Sequence, residues 1–185
     1  MYGLVNRAVR DLIVARFGES CWLDIAGQAG VGQAAFLSMT AYPDEVTYRL
    51  VDAASKVTGL PGDAIFEAFG EHWTLYTARE GYGEMLKLAG RTLFEFLQNL
   101  DTLHARVGLL FPELAPPSFR CAEVTDRSMR LEYYSTRPGL APFVVGLVKG
   151  LGKRFETPVS IQLLRGRADG LDHDEFLVRL TDPAD

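Results

Sequence analysis

The chain has 185 residues, a length that suits one domain or one domain with a small subdomain. Hydrophobic residues make up 48% and charged residues 23%, a globular balance that allows a core with room for a ligand-sized cavity. The net charge is −5 and no predicted helix carries a basic stripe, so nucleic-acid binding is not expected. The sequence shows neither a signal peptide nor a run of about 20 apolar residues, which predicts a cytoplasmic protein without a membrane span.

Helical periodicity dominates the first two thirds of the chain, where apolar residues recur every three or four positions. Gly18 and Gly59 mark helix ends, while Pro43 and Pro61 suit the first turns of helices. The six predicted helices span residues 4–17, 20–29, 43–58, 61–76, 82–88 and 93–109. A proline-rich loop at 112–117 follows the last of them.

Beyond this loop, apolar and polar residues alternate as in half-buried strands. The pattern predicts strands at 119–124, 129–135, 159–163 and 176–180, with a helix at 140–151. These elements predict an α+β fold in a single domain over residues 1–185. A helical N-terminal subdomain is expected at 1–60, and residues 61–185 are expected to combine a small antiparallel sheet with packed helices that enclose a pocket.

His104 lies on the apolar face of the sixth predicted helix, together with Leu93, Leu97, Leu100 and Val107. A neutral imidazole that faces an apolar pocket is a good iron ligand, because it offers a lone pair without adding charge. The alternative is a buried histidine bonded to a backbone carbonyl. For this residue taken alone, that alternative is favoured.

Tyr133, Ser135 and Arg137 are spaced so that an extended strand would point all three side chains to one face. Two hydroxyls and a guanidinium then form a row of donors that suits a ligand with two carboxylates. The alternative is a strand end with a surface arginine, which is favoured for this triplet taken alone.

The helix predicted at 140–151 offers an apolar wall. Gly146 and Gly150 on this helix permit close approach by a flat object or by another helix, and ordinary helix packing is the simpler interpretation. The imidazole, the carboxylate donors and this wall are together the three parts that a haem site needs.

Other chemistry has little support in the sequence. No G-x-S-x-G, H-E-x-x-H, P-loop or dinucleotide-binding motif occurs. Histidine and cysteine are too sparse to predict a zinc site, and the carboxylates form no evident acid/base pair. His173 is interpreted as a surface histidine. Cys21 and Cys121 lie far apart without a C-x-x-C-H motif, which favours reduced thiols and gives no site for covalent haem attachment.

Four sequence features together resemble one family, the haem nitric-oxide/oxygen-binding (H-NOX) domains. They are the N-terminal residues 1–6, the dipeptide Leu103-His104, the segment 116–119 (Pro-Pro-Ser-Phe) and the Y-x-S-x-R motif at 133–137. The resemblance covers essentially the whole chain. The chain is similar both to standalone bacterial members and to the haem domain of soluble guanylate cyclase.

The resemblance implies the roles of individual residues. His104 would be the proximal iron ligand of a non-covalent haem b, and Tyr133, Ser135 and Arg137 would bind the haem propionates. Residues 61–185 would then be the haem-holding subdomain. The proximal pocket would contain Pro117, Leu100 and Leu103. The distal side and the remaining haem packing would be formed by Tyr2, Leu4, Val5, Trp73, Phe143 and Leu147.

One departure from part of the family bears on the choice of gas. Members that hold dioxygen carry a distal tyrosine, and Phe143 occupies that position here. Bound dioxygen gains from a hydrogen-bond donor that nitric oxide needs much less, so a sensor for nitric oxide and carbon monoxide is expected. Nitric oxide is expected to weaken the bond to His104 and release the long helix. A separate protein, by resemblance a histidine kinase or a cyclic-dinucleotide enzyme, would read that change.

Two other functions remain open from the sequence. A haem enzyme of the peroxidase type would need a distal acid/base group, for which His72 is the candidate. A non-haem module that binds a small molecule would use His104 as a core residue only. The expectation here is a sensor and not an enzyme.

Overall fold

The computed structural model describes residues 1–31, 36–77, 83–110, 113 and 115–182, except for the side chain of Leu110. Within these residues, seven α-helices accompany a four-stranded sheet. The helices are α1 (Gly3–Gln28), α2 (Asp44–Thr58), α3 (Gly62–Thr77), α4 (Gly83–Lys87), α5 (Leu93–Gln98), α6 (Leu100–Leu110) and α7 (Ala141–Arg154). The strands are β1 (Ser118–Ala122), β2 (Ser128–Tyr134), β3 (Val159–Arg165) and β4 (Asp174–Leu180).

Two interruptions shape the helical part of the chain. Gly18 breaks α1 with φ 86° and ψ 168°, which confirms the expected break, since glycine adopts this conformation without a steric penalty. The single helix predicted at 93–109 is wrong, because α5 and α6 separate at Asn99 (φ −96°, ψ 4°). The Asn99 side-chain amide donates to the Ala89 carbonyl at 2.9 Å, a local bond that competes with helix continuation. His104 therefore lies on a short helix of its own.

The four strands form an antiparallel sheet in the order β1-β2-β4-β3. Met129, Leu131 and Tyr133 of β2 are buried in alternation, as the sequence pattern predicts. The strand predicted at 129–135 is shifted by one residue, because β2 runs from Ser128 to Tyr134 and the chain then turns towards Gly139 (φ 72°).

Buried side chains form two clusters. The first joins α1, α2 and α3 and includes the fully buried Ala8, Ile13 and Leu50. The second joins α5, α6, α7 and the sheet and includes Leu97 and Phe176. Helix α3 packs within the first cluster although it belongs to residues 61–185, the predicted second subdomain. That subdomain boundary stays a prediction.

Helix α3 also packs against α7, with two backbones in close approach. Gly146 and Gly150 of α7 lie against the backbone of Glu67 and Glu71 in α3. Lys149 pairs with Glu67 at 2.6 Å along the same seam. This contact ties the first cluster to the helix that covers the sheet.

The architecture confirms the α+β class, with helices followed by a small antiparallel sheet and a helix inserted between its strands. The helix predicted at 82–88 corresponds to α4, although Tyr82 lies outside the described residues, as do Phe111, Pro112 and Leu114 near the proline-rich loop. Among the helices that the structure describes, none combines the length and the apolar character that a membrane crossing requires.

Candidate functional site

A cavity of about 270 Å³ lies between the two buried clusters. A single water needs only ~10–15 Å³ of such space, so this cavity has the size of a ligand site and not of a solvent pocket. Its walls come from both clusters, for example Phe66 and Phe69 of the first and Leu103 and Phe119 of the second. Most of the wall is apolar, and a few polar groups reach it.

His104 lines this cavity from α6. Its Nδ1 lies 2.8 Å from the carbonyl oxygen of Pro117. Because a carbonyl oxygen only accepts, Nδ1 carries the hydrogen and donates it, and Nε2 keeps a lone pair. Burial lowers the pKa of His104 below its ordinary value, although the Pro117 bond and Asp101 act in the opposite direction. The ring is therefore neutral near pH 7 and presents a ligand nitrogen.

The Pro117 carbonyl is itself held in place by α6. Asp101, one turn before His104, accepts a hydrogen bond from the backbone N–H of Phe119 at 2.6 Å and another from the Ser118 hydroxyl at 2.8 Å. These charge-assisted bonds tie the start of β1 to the helix that carries the histidine. The orientation of the imidazole thus depends on Asp101, which the sequence reasoning missed.

Tyr133, Ser135 and Arg137 come together, but not on one strand face as expected. Only Tyr133 belongs to β2, while Ser135 and Arg137 lie in the turn that follows it. The Ser135 hydroxyl oxygen accepts the backbone N–H of Arg137 at 3.1 Å, and burial raises the pKa of Tyr133 while the Ser135 side chain acts in the opposite direction. Tyr133 and Arg137 line the cavity, whereas Ser135 lies between them along the chain and is not among the lining residues.

Asp44, at the start of α2, anchors Arg137. Its carboxylate accepts from the Arg137 Nε at 2.7 Å and from the amino group of Met1 at 2.6 Å. Burial alone would raise the pKa of Asp44, but the hydrogen bonds from Met1 and Arg137 bring that pKa below its ordinary value. Arg137 also donates to the Ala115 carbonyl at 2.7 Å. No motif in the sequence linked residue 44 to residue 137.

The other predicted pocket residues also lie at the cavity wall. They are Tyr2, Leu4, Val5, Trp73, Leu100, Leu103, Pro117, Phe143 and Leu147. Phe69, which was not assigned to the pocket, packs between Trp73 and Phe143 with ring centroids 6.1 and 5.1 Å away. Phe69 precedes Trp73 by four residues, and this helical spacing, which places both side chains on one face, could have indicated its position.

Two other predictions about histidine meet different outcomes. His72 is not among the residues that line the cavity, and its Nε2 lies 2.9 Å from the Asp11 carboxylate on α1. The imidazole of His72 therefore contacts α1, away from the residues that line the cavity. His173, which was interpreted as a surface histidine, is partly shielded, since 14% of its side chain is exposed. The ring of Tyr134 covers it at a centroid distance of 4.5 Å.

The donor set of the cavity fits a haem. A flat apolar macrocycle suits the aromatic and aliphatic walls, and its iron suits the Nε2 lone pair of His104. Its two carboxylates suit the Arg137 guanidinium and the Tyr133 hydroxyl. The fold and the cavity together define a domain built to hold a large, flat ligand with a metal at its centre.

Comparisons with known proteins identify the family. The model of the family described as "Haem-NO-binding" matches residues 2–163. The soluble guanylate cyclase gcy-31 of Caenorhabditis elegans is 30% identical over 181 residues, which are 97% of this chain and 26% of that protein. The chain thus spans about a quarter of the length of this relative.

Solved structures show the same fold. The H-NOX protein from S. oneidensis in the Fe(II)NO ligation state superposes with a TM-score of 0.89 at 20% identity and covers 98% of this chain and 100% of its own. The Fe(II) unliganded H-NOX protein from K. algicida gives 0.85 at 22% identity, with 100% and 99% covered. The chain belongs to the Haem-NO-binding (H-NOX) family, a family of haem-based gas sensors.

Proposed function

We propose that this domain senses nitric oxide and carbon monoxide through a bound haem b, does not hold dioxygen, and signals to a separate cytoplasmic effector. One observation carries the proposal. His104 donates through Nδ1 to Pro117, which leaves the Nε2 lone pair on a ring that lines an apolar cavity. A core histidine with no ligand role would not need this access to a cavity of about 270 Å³.

The residues of this chain would hold the haem without a covalent link. His104 would bind the iron, and Tyr133, Ser135 and Arg137 would bind the propionates. Neither Cys21 nor Cys121 is among the residues that line the cavity, which favours a non-covalent haem b. When bound, the haem supplies a ferrous iron with one open coordination position for a diatomic gas.

Two hydroxyls of the cavity wall are already hydrogen-bonded within the protein, which favours nitric oxide over dioxygen. The Thr47 hydroxyl donates to the Asn6 side chain at 2.6 Å, and the Thr74 hydroxyl donates to the Glu71 carbonyl at 3.0 Å. Both donors are therefore engaged within the protein. Phe143 presents a ring without a donor at the position where dioxygen-binding relatives carry a tyrosine. A polar bound gas would find little stabilisation there.

The contacts around the cavity provide a route for signalling. His104 is coupled to β1 through Pro117 and Asp101, and Arg137 is coupled to α2 through Asp44. A change in the bond between His104 and the iron would therefore shift α6 and β1 relative to the N-terminal helices. We expect two discrete arrangements whose populations depend on the gas. The effector would be a signalling protein such as a histidine kinase or a cyclic-dinucleotide enzyme.

The test is a visible spectrum of the His104→Gly variant beside the wild type and a His72→Gln control. The wild type and the control should purify with a strong Soret band. The ferrous wild-type spectrum should change under nitric oxide, and in air it should not take the form of a dioxygen-bound haem. The His104→Gly variant should lose the haem or shift the band, and added imidazole should restore it because it refills the vacated ligand position.

Two results would refute the proposal. One is a wild-type protein that takes up no haem on reconstitution. The other is a His104→Gly protein whose haem content and spectrum equal those of the wild type without imidazole. A stable dioxygen-bound spectrum of the ferrous wild type in air, as distinct from oxidation to ferric haem, would refute the gas preference alone, because the haem site would remain.

A further inference from the structure

Two carboxylates face each other on the side of the sheet that points away from the core. Glu132 of β2 and Glu175 of β4 are register partners on adjacent antiparallel strands. Side chains at such positions stand about 4.5–5.5 Å apart at Cβ, so two like charges are neighbours here. Glu175 is only 7% exposed. Burial of a carboxylate beside another carboxylate requires compensation by positive charge.

His173, directly before β4, completes this group. Its Nδ1 lies 2.6 Å from an Asp172 carboxylate oxygen, and its Nε2 lies 3.3 Å from a Glu175 carboxylate oxygen. The ring stacks on Tyr134 with an interplanar angle of 24°, which holds its orientation. The Tyr134 hydroxyl donates to Glu132 at 3.1 Å, so the same residue also orients the second carboxylate.

The contact between Nε2 and Glu175 needs a cation between its two atoms. A carboxylate only accepts, so the Asp172 contact assigns the Nδ1 hydrogen and leaves a lone pair on Nε2 of the neutral ring. Nε2 faces an oxygen of Glu175 at 3.3 Å, so the space between the two atoms takes either a proton on Nε2 or a metal ion bound to both atoms.

We propose that Glu132, His173 and Glu175 form a binding site for a divalent metal ion of the zinc class, separate from the haem cavity. One ligand atom from each of the three residues lies within 4.8 Å of the others. Ligands at 2.0–2.2 Å around a tetrahedral ion are roughly 3.4 Å apart, so small side-chain rotations close the site. One imidazole and two carboxylates suit zinc or manganese, with water as the remaining ligand.

The Asp172 contact matches the outer shell of known metal sites. A metal-bound histidine usually donates its second ring N–H to a carboxylate, which fixes the tautomer and raises the basicity of the ligand nitrogen. Asp172 is in this position relative to His173. Replacement of such a partner weakens metal binding by roughly 10- to 100-fold in general.

Nearby arginines set the charge of the site. Arg165 contacts both carboxylate oxygens of Glu175 at 2.9–3.2 Å, and the Arg130 Nε lies 3.4 Å from Glu132. Arg120 lies over the Tyr134 ring at 5.0 Å. A carboxylate has about four lone-pair directions, so Glu175 can accept hydrogen bonds from Arg165 and bind a metal ion at the same time. The arginines weaken the attraction for a cation, and Arg165→Gln should therefore tighten binding.

The experiment is a calorimetric titration of tag-free, haem-loaded protein with zinc chloride after removal of metals by a chelator. The wild type and a His72→Gln control should bind one equivalent. His173→Gln and Glu132→Gln should each weaken binding at least tenfold. Because the Glu132 side chain is partly exposed, the Glu132→Gln variant should fold normally. An unchanged Soret band and an unchanged circular dichroism spectrum will verify the fold of both variants.

The titration either supports the metal site or overturns it. Weaker binding in both folded variants, with the control unchanged, supports the site. No zinc binding by the wild type up to millimolar concentration overturns it and leaves a proton on Nε2 as the cation. Equal binding by wild type and variants also overturns it, since zinc then binds elsewhere. The haem spectrum is read in the same samples, so failure of this site is distinguishable from failure of the haem proposal.

Discussion

Replacement of Gly146 by alanine should separate α3 from α7. A Cβ at this position would overlap the Glu67 carbonyl oxygen and lie 2.7 Å from the carbonyl carbon and 2.9 Å from the Glu71 nitrogen. All of these atoms belong to the backbone of a helix, so no side-chain rotation relieves the overlap. Carbon atoms pack at about 3.5–4.0 Å, so the two helices must move apart by roughly 1 Å.

The cost follows from the rigidity of this seam. Overpacking of a close-packed interior destabilises a protein by typically 1–3 kcal/mol. Because the new Cβ would clash with backbone atoms, Gly146→Ala should cost about 3 kcal/mol. For a chain of this size, 1 kcal/mol corresponds to ~2–4 °C, so the melting temperature should fall by roughly 6–12 °C. Phe143 and Leu147 flank the site on the same helix and line the cavity, so the Soret band and the release rate of nitric oxide should also change.

Thermal and urea unfolding of the haem-loaded protein measure this effect. Gly108→Ala on α6 is the matched control, because a Cβ there meets nothing within 4 Å. Alanine in place of glycine within a helix stabilises by about 0.5–1 kcal/mol, so the control should gain stability while Gly146→Ala loses it. Equal stability of Gly146→Ala and the wild type would refute the close approach of α3 and α7.

Three further predictions concern single side chains. Phe143→Tyr should introduce a donor into the cavity, and a spectrum of the ferrous variant in air should then show a bound gas that the wild type lacks. Asp44→Asn should lower the free energy of unfolding at pH 7, and the difference from the wild type should shrink as the pH falls below about 3.9. The lowered pKa of Asp44 makes its stabilising contribution present above the unfolded value and lost as the pH falls through the folded one, which urea unfolding against pH measures. Burial raises the pKa of Cys121 to about 11, so only ~0.1% of this thiol is ionised at pH 8. Its alkylation, followed by mass spectrometry, should therefore be roughly 100-fold slower than that of a free cysteine. Alkylation at the rate of a free cysteine would contradict the burial of Cys121.

Much of the fold was readable from local pattern. The break at Gly18, the end of α2 at Gly59 and the alternation along β2 each rest on a preference of the residue itself or of its immediate neighbours. The break at Asn99 was missed because the apolar periodicity continues through it. It depends on the Ala89 carbonyl, which the chain brings near only after folding.

The candidate site divides in the same way. His104 and the Tyr133–Arg137 motif were recognisable because the residue types and their short spacing suggest a chemistry and resemble a family. Asp44 is 93 residues from Arg137, and no short-range pattern indicates their contact at 2.7 Å. Glu132, His173 and Glu175 look scattered along the chain until the register of β2 and β4 brings them together.

The amino-acid sequence by itself determined the class of fold, the helix and strand order, and the residue types that can bind iron and carboxylates. These depend on short-range preferences and on the periodicity with which apolar side chains recur. Only the tertiary structure decided which polar groups meet and how the imidazole is held. Such contacts join residues that lie far apart along the chain, and their geometry exists only once the helices and the sheet have packed.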